Sequence, residues 1–251
     1  MRKYIQKMAG QSSSSPLLII FPHSGGDPNS YRMLAKILEP YAEVWGICYP
    51  GRSYRFQEDF ALSVPEIVSE LADEFEGASG RSLVLFGHSL GGIIAYEFAK
   101  HLETRALHLQ HLVISAVKSP DNFVAATPFP IEDDVELLSW IRNVGGLPAA
   151  LMADHDMFQL YLEIIRADLN IYNSYQESNP HGLLMVPLTC FHGLNDSLCS
   201  GELMTSWGGR TRGEMTTRSF PGGHFYIGEN IDEVATCLRK IILSNLAEVA
   251  V

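Results

Sequence analysis

Gly87-His88-Ser89-Leu90-Gly91 sets a serine between two glycines in a G-x-S-x-G pattern. The pattern alone is common by chance, so its surroundings decide its weight. Leu83–Phe86 before it is a short apolar run that reads as a buried strand. Ile94, Phe98 and Leu102 after it mark one face of a helix. A serine on a sharp strand-to-helix turn must take strained backbone angles, and flanking glycines leave room for the turn. The turn lifts the hydroxyl off the sheet and sets it at the positive end of a helix. Those are the needs of a nucleophile in acyl transfer.

A serine hydroxyl is a weak nucleophile at neutral pH and needs a base. The chain has nine histidines. His224, in Phe220-Pro221-Gly222-Gly223-His224-Phe225-Tyr226, follows the last strand and precedes the last helix, so its loop can bring the imidazole over Ser89. His88 adjoins the nucleophile, but a sharp turn points neighbouring side chains apart. His23 is expected to shape the first glycine loop, and His192 to end a strand with ordinary core or backbone bonding. The base in turn needs an acid to fix its tautomer. Asp196 lies just past the strand Val186–Phe191. Asp121 is the rival, five residues beyond Ala116 and so rather far along its loop. Asp154, Asp156 and Asp168 fall in a helical stretch and read as solvated.

A tetrahedral oxyanion needs donors. One is the backbone N–H of Leu90, next after the nucleophile. The other is expected from Ser24, in the His23-Ser24-Gly25-Gly26 loop after the strand Leu17–Phe21, where the glycine pair allows close backbone approach. The same loop could be read as a phosphate cradle, but it lacks the Lys-Ser/Thr of that motif.

Holding these residues together takes a parallel sheet between helix layers. Strands are expected at Leu17–Phe21, Val44–Tyr49, Leu83–Phe86, Leu112–Ala116, Val186–Phe191 and Met215–Phe220, with helical stripes between them. Tyr31, Leu34, Ala35 and Leu38 form one stripe, and Val64, Ile67, Val68, Leu71 and Phe75 a second. A last helix runs from about Tyr226 to Ala247. The fold class is thus α/β, a mostly parallel central sheet flanked by helices. Between about Ser119 and His181 the pattern is helical only, and this insertion reads as a lid. Met157, Phe158, Leu160, Tyr161 and Ile164 on it could line a tunnel or simply pack. Ser12–Ser15 reads as the end of a flexible leader.

The chain's 251 residues fit a single domain, 1–251, carrying that large insertion. Apolar residues at 46% and charged residues at 19% exclude a disordered or fibrous chain. A net charge of −11 argues against a nucleic-acid groove or a general affinity for anionic membranes. Cys48, Cys190, Cys199 and Cys237 are scattered with no C-x-x-C pair, as core thiols of a reducing cytosol would be. Residues 1–11 hold no apolar core of a secretory signal, and no run reaches the ~20 apolar residues of a membrane span. A cytoplasmic protein without metal or other cofactor is expected, with nothing that demands more than a monomer.

With these residues assembled, the sequence resembles the type II thioesterases, stand-alone enzymes that accompany polyketide and non-ribosomal peptide synthetases. Their fold is the α/β-hydrolase fold, whose chain order of Ser, acid and His is the order found here. The likeness rests on Phe21-Pro22-His23-Ser24-Gly25-Gly26, on Tyr49-Pro50-Gly51-Arg52, on Phe86–Gly92, on Phe220–Phe225, and in the insertion on Leu137-Leu138, Gly145-Gly146-Leu147-Pro148 and Arg166-Ala167-Asp168. Ser24 departs from the family's usual Ala. The resemblance implies hydrolysis of acyl thioesters on the phosphopantetheine arm of an acyl- or peptidyl-carrier protein, clearing stalled or aberrant acyl groups. It carries the triad to Ser89, Asp196 and His224 and the oxyanion donors to Ser24 and Leu90. Such carriers are themselves acidic, so docking would need a local patch; Arg52 and Arg55 are candidates. A general carboxylesterase and a non-catalytic binding module on the same fold are the competing readings.

Overall fold

The computed structural model describes residues 3–10, 16–75, 81–105, 108–123, 128–146 and 155–248. Seven strands form one sheet: β1 Ile5–Ala9, β2 Leu17–Phe21, β3 Glu43–Ile47, β4 Leu83–His88, β5 Leu109–Ser115, β6 Leu188–Gly193 and β7 Met215–Phe220. Their spatial order is β1-β3-β2-β4-β5-β6-β7. Only β1 runs antiparallel, on β3, and every other pairing is parallel.

Strands β2 and β4, in the middle of the sheet, are buried along their whole length because helices cover both faces, whereas β7 at the far edge is largely exposed. Leu17, Ile19 and Phe21 of β2 point to one side, where they pack with α2 (Val64–Glu74) and α3 (Leu90–Thr104). Leu18 and Ile20 point to the other, against α1 (Arg32–Leu38) and α7 (Ile231–Glu248). Helix starts are marked as the residue types require. Ser63 caps α2 by accepting from the Glu66 N–H, with Pro65 in the first turn. Helix α3 lies against the sheet centre and is buried all round from Leu90 to Ala99.

The strands at Leu17–Phe21 and Met215–Phe220 match the sequence expectation, and the other four shift by one to three residues at an end. Two elements differ. Residues 5–9, within the stretch read as a leader, form the edge strand β1; Ser12–Ser15 lie outside the described residues. The last helix starts at Ile231, not near Tyr226. The Asn230 side chain donates to the carbonyls of Pro221 (2.8 Å) and Tyr226 (2.7 Å), which ties residues 221–230 into turns.

Between β5 and β6 the described residues hold helices α4 (Asp134–Val144) and α5 (His155–Asn173). Asp133 caps α4, and Gly145 ends it in the left-handed conformation at φ 79°. The two helices share a small core of Leu137, Ile141, Leu162, Ile165 and Leu169, separate from the two layers on the sheet. A last short helix, α6 (Gly201–Thr205), follows β6.

Tyr4, at the entry to β1, is 1% exposed, and the Arg55 guanidinium sits 4.0 Å from its ring centre. Its N–H donates to the Glu74 carboxylate (2.9 Å). We expect Tyr4→Ala to cost about 3 kcal/mol. Removal of residues 1–10 should lower the urea midpoint as well, and an unchanged midpoint in the shortened chain would show that the edge strand adds nothing.

Candidate active site

Ser89 stands between β4 and α3 with φ 54° and ψ −123°. A backbone of this kind costs roughly 1–3 kcal/mol and persists only where its surroundings hold it. The glycines explain how. A Cβ on Gly87 would lie 2.2 Å from the Gly91 carbonyl oxygen, and one on Gly91 would lie 2.0 Å from that of Phe21. The Ser89 N–H donates to the Ser115 carbonyl (2.8 Å), tying the turn to β5.

The structure brings Ser89, His224 and Asp196 together. His224 Nε2 is 3.0 Å from Ser89 Oγ, and His224 Nδ1 is 2.9 Å from Asp196 Oδ2. The other carboxylate oxygen accepts from the N–H groups of Leu198 (2.8 Å) and Cys199 (3.2 Å), so the acid is oriented at both oxygens. The loops carrying acid and base are stitched into one unit. Leu194 N–H donates to the Phe220 carbonyl and Asn195 N–H to that of Gly222. Gly193 permits that approach, since a Cβ there would lie 2.2 Å from the Gly223 carbonyl oxygen. The rival acid, Asp121, instead pairs with Arg210, its side chain 58% exposed.

Two further histidines lie at the site. His88 does not point clear of it: its ring centre is 5.3 Å from that of His224. His88 Nδ1 bonds Ser115 Oγ (2.7 Å), which bonds the Tyr226 hydroxyl (2.6 Å). His23 shapes the first loop as expected, with Nδ1 2.8 Å from the Tyr31 hydroxyl and its ring against Phe225. Burial, then the neighbouring His224, pushes His23 down to about 3 and holds His88 well below the usual histidine range. Both are neutral rings packed beside the base.

The insertion roofs the serine. Phe129, Trp140 and Ile141, with Leu169 and Tyr172 of α5, enclose a cavity of about 30 Å3 over Ser89 and His224, and Ser24 lies on its wall. That volume holds a water or two. The stripe named from the sequence does not line this cavity, although Ile164 is buried and Phe158 and Tyr161 pack on the core shared by α4 and α5. Met157 and Leu160 are exposed (49% and 40%), and the cavity is lined one to three turns further along. At the other end, the Tyr161 hydroxyl donates to the Gly146 carbonyl (2.6 Å), closing α5 onto the end of α4.

Three charged residues are not where the sequence suggested. Asp168 is buried, not solvated, and forms a two-pronged ion pair with Arg52. Arg52 and Arg55 are 5% and 3% exposed, so neither presents a cationic surface. Arg55 binds Glu58 and the Cys48 carbonyl. Sequence reasoning noted the motifs holding Arg52 and Asp168 but missed their pairing. No local signal marked it, since Arg166 stands two residues from Asp168 and Arg55 three residues from Arg52, and each charge looks compensated by near neighbours or solvent. Among the described residues no cluster of His, Cys, Asp and Glu could hold a metal, and no helix is long and apolar enough to cross a membrane.

The neutral histidines predict a pH dependence of stability. His23 and His88 sit far below the unfolded value near 6.5, and burial also lowers His111, to about 4. Between pH 6.5 and about 4 the unfolded chain therefore binds more protons than the folded one. Stability is full above pH 6.5 and falls with acidification, by up to about 1.4 kcal/mol per pH unit for each ring. Equilibrium unfolding at pH 7, 6 and 5 measures the slope. His23→Gln should flatten it, and a slope equal to wild type would show that His23 is not held neutral.

A family model described as the thioesterase domain matches residues 16–242. Gramicidin S biosynthesis protein GrsT of Aneurinibacillus migulanus is 26% identical over 230 residues, covering 91% of this chain and 90% of that one. Phenyloxazoline synthase MbtB of Mycobacterium tuberculosis is 29% identical over 235 residues; the match covers 93% of this chain but only 16% of the synthase. Among solved structures, the type II thioesterase BorB from the borrelidin biosynthetic cluster superimposes with a TM-score of 0.87 at 27% identity, covering 95% of this chain and 97% of BorB. The RedJ thioesterase of Streptomyces coelicolor gives 0.84 at 28%, covering 93% and 88%. With the family model spanning most of its length, a sheet-edge serine bonded to histidine and aspartate, and these relatives, the chain belongs to the thioesterase family.

Proposed function

We propose that this chain is a type II thioesterase. It hydrolyses acyl thioesters from the phosphopantetheine arms of carrier proteins in polyketide or non-ribosomal peptide synthesis, removing stalled or aberrant acyl groups. The observation that carries the chemistry is the continuous chain Asp196–His224–Ser89 beneath the insertion. The pathway assignment draws support from relatives such as GrsT, named for gramicidin S biosynthesis, and BorB, from the borrelidin cluster.

Each group has one task. Ser89 Oγ attacks the thioester carbonyl while His224 Nε2 takes its proton. The oxyanion is met by the backbone N–H groups of Leu90 and Ser24. Leu90 opens α3, where the first N–H groups lack an intrahelical acceptor. The carbon–sulfur bond breaks, the imidazolium returns the proton to the leaving thiol, and the acyl group stays on Ser89. Water then attacks the ester with His224 again as base, freeing the acid and restoring the serine. Asp196 holds the imidazole in one tautomer throughout. No step needs a metal or cofactor.

The roof sets the order of events. A cavity of about 30 Å3 cannot hold an acyl chain, so residues 119–181 act as a lid that opens for loading and recloses over the acyl-enzyme with room for the attacking water. The carrier protein docks on a surface other than Arg52 and Arg55. The reading takes 1–251 as one catalytic domain, acting in the cytoplasm as a monomer.

Acyl-loaded carrier proteins should be turned over in preference to aryl esters of the same acyl group. A strong preference for aryl esters would point instead to a general carboxylesterase. Ser89→Ala should abolish turnover, by ~10³-fold or more, and Asp196→Asn should lower kcat by ~10³- to 10⁴-fold with the protein folded. A fluorophosphonate should label wild type at Ser89. Absence of the adduct, with no turnover of thioesters or aryl esters by wild type, would assign the fold to a binding module.

A further inference from the structure

We propose that Asp168, on the insertion helix α5, is a positioning residue for the oxyanion loop, and that the hole is assembled only with that helix docked. The proposal rests on the catalytic reading above and assigns a role to a residue that the reading leaves unused.

The Asp168 side chain is 2% exposed and accepts three hydrogen bonds. Arg52 gives two, Nη1 to Oδ2 and Nη2 to Oδ1, each 2.6 Å. The third comes from the backbone N–H of Gly25, 2.7 Å from Oδ2. Arg52 Nη1 also reaches the Gly26 carbonyl (3.2 Å). One buried carboxylate thus holds the loop after β2 both directly and through its arginine.

Peptide planarity turns these bonds into an aim. The N–H of Ser24 shares a rigid plane with the carbonyl of His23, and that carbonyl accepts from the Gly26 N–H (2.9 Å). The next plane, Ser24 to Gly25, is held by the bond from Gly25 N–H to Asp168. With both planes pinned, the direction of the Ser24 N–H is set. The packing agrees. Gly25 has φ +78°, and a Cβ there would lie 2.7 Å from Ile165 Cγ1 of α5. The helix is pressed against this backbone, one turn from Asp168.

A merely structural ion pair would behave otherwise. Burying an ion pair is expensive, and well-packed apolar replacements of both partners are often neutral or stabilising. Such a pair would recover function along with stability when replaced. A positioning acceptor would not, because no apolar side chain can take the Gly25 N–H.

The test compares wild type, Asp168→Asn and the double variant Arg52→Met/Asp168→Leu. Three quantities are read: melting temperature, kcat and KM on an acyl-carrier thioester, and the rate of Ser89 labelling by a fluorophosphonate, which also builds negative charge in the hole. In Asp168→Asn kcat should fall by ~10²-fold, the order expected for a misplaced oxyanion donor, with KM changed less than about threefold. The double variant should regain most of the melting temperature yet keep kcat and labelling down by ~10-fold or more. Recovery of kcat together with stability in the double variant would overturn the proposal, as would a labelling rate equal to wild type in either variant. Should wild type turn over no carrier thioester, the catalytic reading fails, and the labelling rates still decide the role of Asp168.

Discussion

The site depends on a serine backbone held at φ 54° against its own preference. The turn exposes the hydroxyl at the sheet edge only because two carbonyls can approach where Gly87 and Gly91 have no side chain. Its N–H is bonded to β5, so the strain is carried by the sheet and not by a free loop. The neighbouring loops repeat the device. Gly193 lets the acid-bearing loop meet the base-bearing loop at backbone distance. Ser89, His224 and Asp196 are therefore placed by main-chain contacts, and side-chain freedom enters late.

Around this rigid centre, charge is distributed with economy. Beneath the base lie His88 and His23, kept neutral by burial, together with Phe225. They add shape without adding a charge that would compete with an imidazolium. Beyond the loop that carries Ser24 lies a deeply buried ion pair, Arg52 with Asp168. In a low-dielectric setting such groups are costly unless every bond is satisfied. Both carboxylate oxygens are satisfied, partly by the backbone they hold. Aromatic and aliphatic side chains of the insertion then line the chamber over the serine, which itself stays partly exposed.

The layers, the parallel sheet and the elbow were legible because each is written in near neighbours. Leu17–Phe21 is apolar at every position, as a strand covered on both faces must be. Edge strand β1 was not legible, since its burial pattern is mixed and its residues include Gln6 and Lys7. It is a strand because β3 offers it an unpaired edge, which no local pattern reveals. The start of α7 was misplaced for a similar reason: the hydrogen bonds of Asn230 override the helical stripe that seemed to begin at Tyr226.

At the site the division is the same. The identities and chain order of Ser89, Asp196 and His224 were readable, because an elbow and two strand-end loops can each be recognised from about ten residues. The sequence also set Asp196 above Asp121, and Asp196 is the carboxylate that His224 meets. Tertiary structure alone decided which face of α5 looks inward, how small the chamber over Ser89 is, and that Asp168 faces Arg52 and Gly25 instead of water. A charged residue on a helix is solvated by default. What reverses that default is a partner 116 residues away in the chain, brought near by the packing of an insertion onto a sheet edge, and such a meeting leaves no trace in local periodicity.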